Sequence, residues 1–105
     1  MAIAVDFDGT LSFYDHWRGV GIYGPPIPAM KERVLKWIAE GEEVYIFTSR
    51  VVHDGAECHT RAEREAIWKW LKQHGFPPLP ITGKKLKKFT EYWDDRAIRV
   101  ERNVG

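Results

Sequence analysis

The sequence predicts a single α/β domain over residues 1–105, a Rossmann-like three-layer sandwich with a mainly parallel sheet and no cap domain. Two observations predict this fold class. Short apolar runs of strand-forming residues alternate with segments whose apolar residues recur at helical spacing, and polar residues collect after each run. Helical connections between strands favour a parallel sheet with right-handed crossovers and helices on both faces. At 105 residues, 44% of them hydrophobic and 30% charged, the chain has the size of one domain.

The first predicted strand occupies residues 2–7, an apolar run that ends at a carboxylate. Residues 12–28 hold several glycines and prolines among aromatic and polar residues, which is typical of turns or a small flap. Pro28 opens a segment with helical apolar spacing, and Gly41 stands where a helix stop is expected. A helix is therefore predicted over about residues 28–40.

The alternation continues along the second half of the chain. Residues 44–47 form a short apolar run, which predicts a second buried strand. Residues 51–59 are polar and predict a loop, and Thr60 begins a segment with a helical apolar stripe. Further extended pieces are predicted at residues 79–82, 90–93 and 97–100.

Composition and charge leave most functional classes open. With 16 basic and 15 acidic residues the net charge is +1, which argues neither for nor against a polyanionic partner. The single cysteine, Cys58, excludes an internal disulfide framework and, without a targeting-like start, predicts a cytoplasmic protein. No run approaches the roughly 18 apolar residues of a membrane span, so no membrane partner is expected. The oligomeric state stays open, with a homo-oligomer among the alternatives.

Two carboxylates, Asp6 and Asp8, stand two residues apart where the first predicted strand ends. Alternate side chains of a strand share a face, so both can converge at the strand end. Carboxylates this close repel each other unless a cation compensates, and Mg²⁺ prefers one or two carboxylates with phosphate and water oxygens. The alternative is a solvated turn, because Asp-Gly is an ordinary turn dipeptide.

Polar residues also follow the later strands. Thr48, Ser49 and Arg50 follow the second strand, and four lysines follow the third. Asp94 and Asp95 follow the next extended piece. Because ligands bind at the carboxyl ends of parallel strands, we expect these groups to face one crevice. Such a set of groups suits the transfer of a phosphoryl group with a magnesium ion.

These residues resemble, in order, the four motifs of the haloacid dehalogenase-like (HAD-like) phosphohydrolase superfamily. The motifs are the Asp-Phe-Asp-Gly-Thr-Leu run of residues 6–11, Thr48 after the second apolar run, a lysine, and the acidic pair of residues 94–95. The resemblance covers the whole chain and is most specific to small, capless phage-type members. The Thr-Ser-Arg and Asp-Asp-Arg elements are also similar to the 3′-phosphatase domain of phage polynucleotide kinases.

The resemblance implies an enzyme, a Mg²⁺-dependent phosphatase that acts through a covalent intermediate. Asp6 is expected to attack phosphorus and form an aspartyl phosphate. Asp8 is expected to protonate the leaving alcohol and then activate water. Thr48 and Lys85 are expected to donate to the phosphoryl oxygens, with Lys84 as the second choice for the lysine.

The resemblance also implies binding residues and a substrate class. Mg²⁺ is expected to be held by Asp6, the backbone carbonyl of Asp8 and Asp94, with Asp95 completing or orienting the shell. The expected substrate is a phosphomonoester, in particular a nucleotide or the terminal phosphate of a nucleic acid, because a capless site is open. The expected substrate-binding residues are Gly9, Thr10, Ser49 and Arg50.

Two alternatives remain open at this point. One is a catalytically weak phage-type protein of the same fold that binds a nucleotide or a host protein. The other is a receiver-type signalling domain, which also collects carboxylates and a lysine at strand ends. The Asp-x-Asp-Gly-Thr order of residues 6–10 fits the hydrolase arrangement better.

Overall fold

The computed structural model describes residues 1–51 and 57–105, and it describes residues 57–59 by their backbone alone. The described strands form one parallel sheet in the order β3-β2-β1-β4, which establishes the predicted α/β class. Neither described helix has the length and hydropathy that crossing a membrane requires. In chain order the elements are strand β1 (Ala2–Asp6), helix α1 (Pro28–Ala39), strand β2 (Glu43–Phe47), a short 3-10 helix (Ser49–Val51), helix α2 (Glu57–Gln73), strand β3 (Ile81–Thr82) and strand β4 (Phe89–Trp93).

The predicted elements differ from the observed ones mainly at their ends. Helix α2 begins at Glu57, before the predicted start at Thr60. Residues 52–56 of the predicted loop lie outside the described residues. The extended piece predicted at residues 97–100 is wrong as a sheet element, since these residues are exposed and pair with no strand of the described sheet. A short alternating pattern predicts an extended backbone but does not supply a neighbouring strand.

One face of the sheet carries the larger core. Ile3 and Val5 of β1 and Val44 and Ile46 of β2 alternate onto this face, and all four are buried. Apolar side chains of both helices belong to the same buried cluster, so both helices lie on one side of the sheet. The buried helix residues in the cluster are Met30 and Val34 of α1 and Ile67, Trp70 and Leu71 of α2.

The described residues therefore form two layers, and the prediction of three layers is wrong. The steps from β1 to β2 and from β2 to β3 run in the same direction across the sheet. Right-handed crossovers that step in one direction lie over one face, which places both helices together. The chain returns to the far edge through residues 83–88, which contain no helix. On the second face Ala2, Ala4 and Phe89 form a small cluster with partly buried aromatic residues and Leu86.

Candidate active site

A cluster of three carboxylates lies where β1 and β4 end. The two strands are parallel neighbours and Val5 pairs with Trp93, so Asp6 and Asp94 follow at the same edge of the sheet. Asp6, Asp94 and Asp95 each offer a carboxylate oxygen, and these oxygens lie within 4.8 Å of one another. The structure thus brings together the three carboxylates that the sequence assigns to metal binding. We refer to these three residues as the carboxylate cluster.

Thr10 ties the carboxylate cluster together. Its hydroxyl oxygen lies 3.2 Å from Oδ2 of Asp6 and 3.3 Å from Oδ1 of Asp95. The same hydroxyl accepts the backbone N–H of Asp95 at 3.0 Å. Thr10 is buried, so these contacts fix the acidic pair relative to β1. The structure thus shows a hydroxyl that positions carboxylates, and the predicted contact of Thr10 with substrate stays a prediction.

Gly9 permits the close approach of Asp95. Its φ of +86° lies in the left-handed region that favours glycine. A Cβ at this position would lie 2.7 Å from Oδ2 of Asp95, closer than a side chain tolerates. Its N–H donates to the carbonyl of Ser12 at 2.8 Å. The turn therefore requires glycine at this position, and the predicted contact of Gly9 with substrate stays a prediction.

Asp8 lies outside the carboxylate cluster because its side chain pairs with Arg50. Nε of Arg50 donates to Oδ2 of Asp8 at 2.6 Å, and Nη2 donates to Oδ1 at 3.1 Å. The Arg50 side chain is only 3% exposed, and a buried guanidinium needs such partners. Arg50 thus contacts Asp8, and its predicted contact with substrate stays a prediction. The predicted contribution of the Asp8 backbone carbonyl to metal binding stays a prediction.

Glu63 and Tyr23, which the sequence did not indicate as site residues, also surround Arg50. Nη1 of Arg50 donates to Oε1 of Glu63 at 3.0 Å, and the Tyr23 hydroxyl donates to the other Glu63 oxygen. The rings of Trp17 and Tyr23 lie over the guanidinium at 4.6 and 4.7 Å. Burial lowers the pKa of Arg50, but Asp8 and Glu63 outweigh it and raise the pKa above its ordinary value. Glu63 stands four residues before Ile67 and therefore in register with the apolar stripe of α2. A charged residue on that stripe was the sequence feature that could have indicated a buried partner for Arg50.

The carboxylate cluster opens into a cavity of about 470 Å³. Thr48 and Ser49, which the sequence predicts for phosphoryl and substrate contacts, both line it. Thr48 is buried, and its hydroxyl accepts the backbone N–H of Arg50 at 3.2 Å. Because a hydroxyl that accepts keeps its own hydrogen, Thr48 can still donate to a ligand in the cavity.

Of the described residues, no lysine lines this cavity. Lys85 lines a second cavity of about 590 Å³, where its Nζ lies 5.9 Å from the centre of the Tyr92 ring. The backbone N–H of Lys84 donates to Oγ1 of Thr82 at 3.0 Å, and its side chain is exposed. The predicted donation from Lys85 to a phosphoryl group stays a prediction. The two cavities are adjacent, since Phe47 and Asp94 line both.

The protonation of Asp6 predicts how the stability of the metal-free protein depends on pH. Burial and the nearby Asp94 raise the pKa of Asp6 from 3.8 to about 7. Between these values the folded state binds a proton that the unfolded state does not, so stability falls as pH rises through this window. Asp6→Asn removes that dependence. In EDTA, we expect Asp6→Asn to gain stability over the unsubstituted protein between pH 4 and pH 8, as measured by urea unfolding.

The comparison between the two proteins cancels the titration of groups that they share. A stability difference that stays constant from pH 4 to pH 8 would contradict the raised pKa of Asp6. A difference that grows with pH and disappears when Mg²⁺ is added is the expected pattern, because a bound cation compensates the carboxylate charge.

In comparisons with known proteins, the chain matches no protein-family model, no curated protein and no solved structure. Its function is therefore inferred from the chemistry and geometry of the carboxylate cluster and its surroundings.

Proposed function

We propose that the chain is a capless HAD-like phosphohydrolase that hydrolyses a phosphomonoester through an aspartyl phosphate on Asp6, with Mg²⁺ as its cofactor. One observation carries this proposal. The carboxylates of Asp6, Asp94 and Asp95 come from distant parts of the sequence and lie within 4.8 Å of one another. They do so at the carboxyl ends of parallel strands, the edge where such sheets bind ligands.

The donor set of the cluster fits a hard divalent cation. Asp6, Asp94 and Asp95 offer carboxylate oxygens, the ligands that Mg²⁺ prefers, and the open cavity leaves room for water and phosphate oxygens. Thr10 and the Gly9 turn hold Asp95 in place. The metal ion supplies charge stabilisation at the phosphoryl oxygens when it is bound.

The proposed reaction has two displacements at phosphorus. In the first, a carboxylate oxygen of Asp6 forms a bond to phosphorus while the bond to the leaving alcohol breaks, and Asp8 gives that alcohol a proton. In the second, water attacks phosphorus, Asp8 takes its proton, and the bond to Asp6 breaks to release phosphate. Arg50 contacts both oxygens of Asp8, and each oxygen keeps a second lone pair at which Asp8 can carry or accept the proton.

Thr48 and Lys85 are the proposed donors to the phosphoryl oxygens. A fixed donor at such oxygens contributes about 10²- to 10³-fold in rate. Thr48 faces the cavity with an available hydrogen. Lys85 must leave the ring of Tyr92 to reach the same place. Thr48 is therefore the better supported of the two.

The open site supports a large or extended substrate. Residues 12–27 form a flap whose Trp17 packs on Arg50, and no described segment forms a separate cap domain over the carboxylate cluster. A substrate that is poorly enclosed must gain its binding energy outside the cavity. We propose a nucleotide or a nucleic-acid end, whose phosphate enters while the remainder lies on the surrounding surface.

A second candidate is a phage-type protein of the same fold that binds a nucleotide or a host protein with little hydrolysis. Two specific observations favour it. Asp8 is already engaged by Arg50, and no described lysine lines the carboxylate cavity. Both features weaken catalysis more than they weaken binding.

The two candidates are separated by incubating the protein with Mg²⁺ and a panel of phosphomonoesters. The panel contains 3′- and 5′-phosphorylated oligonucleotides, mononucleotides and sugar phosphates. We expect phosphate release that EDTA stops and added Mg²⁺ restores. Tight binding without release supports the second candidate, and neither binding nor release with any member contradicts both.

A further inference from the structure

The face of the sheet that carries no described helix holds a groove beside the carboxylate cluster. Its volume is about 590 Å³. We name it the aromatic groove and define it by the lining residues Phe47, Lys85, Tyr92 and Arg99. Lys85 and Asp94 of this lining also take part in the proposed chemistry at Asp6, whereas Tyr92 and Arg99 have no part in it.

The aromatic groove exists because of the strand order. The return from β3 to β4 crosses this face without a helix, which leaves part of the sheet surface open. Tyr92 is 43% exposed there. Its ring contacts those of Phe47 and Phe89 edge-on, at centroid distances of 5.8 and 5.7 Å. Tyr92 is thus a partly exposed ring held by two aromatic neighbours, and a planar ligand can stack on it where the Lys85 side chain moves aside.

The aromatic groove is continuous with the carboxylate cavity. Phe47, Asp94 and Ala97 line both. Asp94 follows Tyr92 by two residues at the end of β4, so the ring and the carboxylate stand at the same edge of the sheet. A ligand with its phosphate at the carboxylate cluster therefore has this ring beside it.

The groove also carries charged side chains. The cations Lys85 and Arg99 line it together with the carboxylates of Glu91 and Asp94, and Nζ of Lys85 lies 5.9 Å from the centre of the Tyr92 ring. An aromatic platform flanked by cations is the combination that binds single nucleotides and strand ends, by stacking the base and neutralising phosphate. A sugar phosphate without a base offers nothing for the ring to stack on.

We infer that the aromatic groove binds the nucleoside part of a nucleotide, with the base stacked on Tyr92. This inference rests on the proposed function for the position of the phosphate, at the carboxylate cluster. It adds to that function a binding surface and a requirement that the substrate carry a base.

The test compares AMP with ribose 5-phosphate, which carries a hydroxyl group in place of the base. Binding is measured by calorimetry in Mg²⁺ with the Asp6→Asn protein, so that turnover does not intervene. We expect AMP to bind about 5- to 150-fold more tightly, the range for stacking one base. Equal affinities for the two ligands would overturn the inference without the need for any groove variant.

Variants of Tyr92 test whether this ring causes the preference for AMP. Tyr92→Leu should reduce the affinity for AMP to that for ribose 5-phosphate, and Tyr92→Phe should retain it because the ring remains. Trp68→Leu is the matched control, since Trp68 is 41% exposed and lies on α2, behind the other face of the sheet. A preference for AMP that Tyr92→Leu leaves unchanged would overturn this location of the base.

A 5′-phosphorylated dinucleotide distinguishes a nucleic-acid end from a mononucleotide as the ligand of the groove. Tighter binding than AMP identifies a nucleic-acid end as the ligand, and equal binding identifies a mononucleotide; both support the groove. Phosphate release by the unsubstituted protein is recorded separately. Preferential binding of AMP without phosphate release supports the groove and contradicts the proposed phosphatase. Phosphate release from both AMP and ribose 5-phosphate, with equal affinities, supports the phosphatase and contradicts the groove.

Discussion

Asp6→Asn is expected to abolish Mg²⁺-dependent phosphate release, by about 10⁴-fold or more, while the fold is retained. The amide cannot attack phosphorus, and the loss of a covalent nucleophile is among the largest single effects known in enzyme catalysis. The amide oxygen can still accept the hydrogen bond that Thr10 gives to Oδ2 of Asp6. The measurement is the initial rate of phosphate release from the best substrate of the panel.

The control for this experiment is Asp15→Asn. Asp15 is an exposed flap carboxylate that pairs with Arg18, so its loss removes a charge of the same sign without touching the cluster. We expect its rate to stay within about twofold of the unsubstituted protein. If Asp6→Asn releases phosphate at the same rate as Asp15→Asn, Asp6 is not the nucleophile.

The carboxylate cluster could be predicted from the sequence because parallel strands end at one edge of the sheet, although only the structure shows that β1 and β4 are neighbours. A strand that ends in Asp6 and another that ends before Asp94 must place these residues at one edge if the two strands are parallel neighbours. The alternation of apolar runs and helical stripes is sufficient to predict parallel strands. No side-chain detail is needed for that step.

The position of Lys85 could not be predicted in the same way. It depends on the strand order, which the alternation of elements does not determine. Because β4 lies on the far edge, residues 83–88 cross the second face and carry Lys85 to the ring of Tyr92. The same strand order places both helices on one face of the sheet. The predicted three-layer sandwich had helices on both faces.

The pairing of Asp8 with Arg50 was also beyond the sequence. Arg50 follows a strand end, where a cation can equally meet a substrate phosphate or a neighbouring carboxylate. Glu63 decides between these, since it lies buried on α2 and holds the guanidinium away from the open cavity. The contact between Arg50 and Glu63 is evident only from the packing of α2 and the flap against the end of β2.

Replacing Arg50 is expected to have the largest effect on stability. The side chains of Arg50 and Glu63 are 3% and 1% exposed, so neither charge can turn to water when its partner is removed. Breaking such a pair costs about 3–5 kcal/mol. We expect Arg50→Met to lower the free energy of unfolding by this amount, as measured by urea unfolding at pH 7.

Three further variants identify the physical cause of this loss. Arg99→Met, at an exposed arginine, should change the free energy of unfolding by less than about 0.5 kcal/mol. Arg50→Lys should recover only part of the loss, because one ammonium cannot replace the two-pronged contact with Asp8. The double variant Arg50→Met with Glu63→Gln should regain much of it, since the introduced amide is neutral and its oxygen can still accept from the Tyr23 hydroxyl.

The decisive comparison is between the single and the double variant. If the loss came from the packing of the Trp17 and Tyr23 rings on the guanidinium, neutralising Glu63 would restore nothing, because methionine already fills much of that space. Recovery in the double variant assigns the loss to an uncompensated buried charge. Arg50 is then held beside Asp8 by a buried ion pair with Glu63, and its predicted contact with substrate stays a prediction.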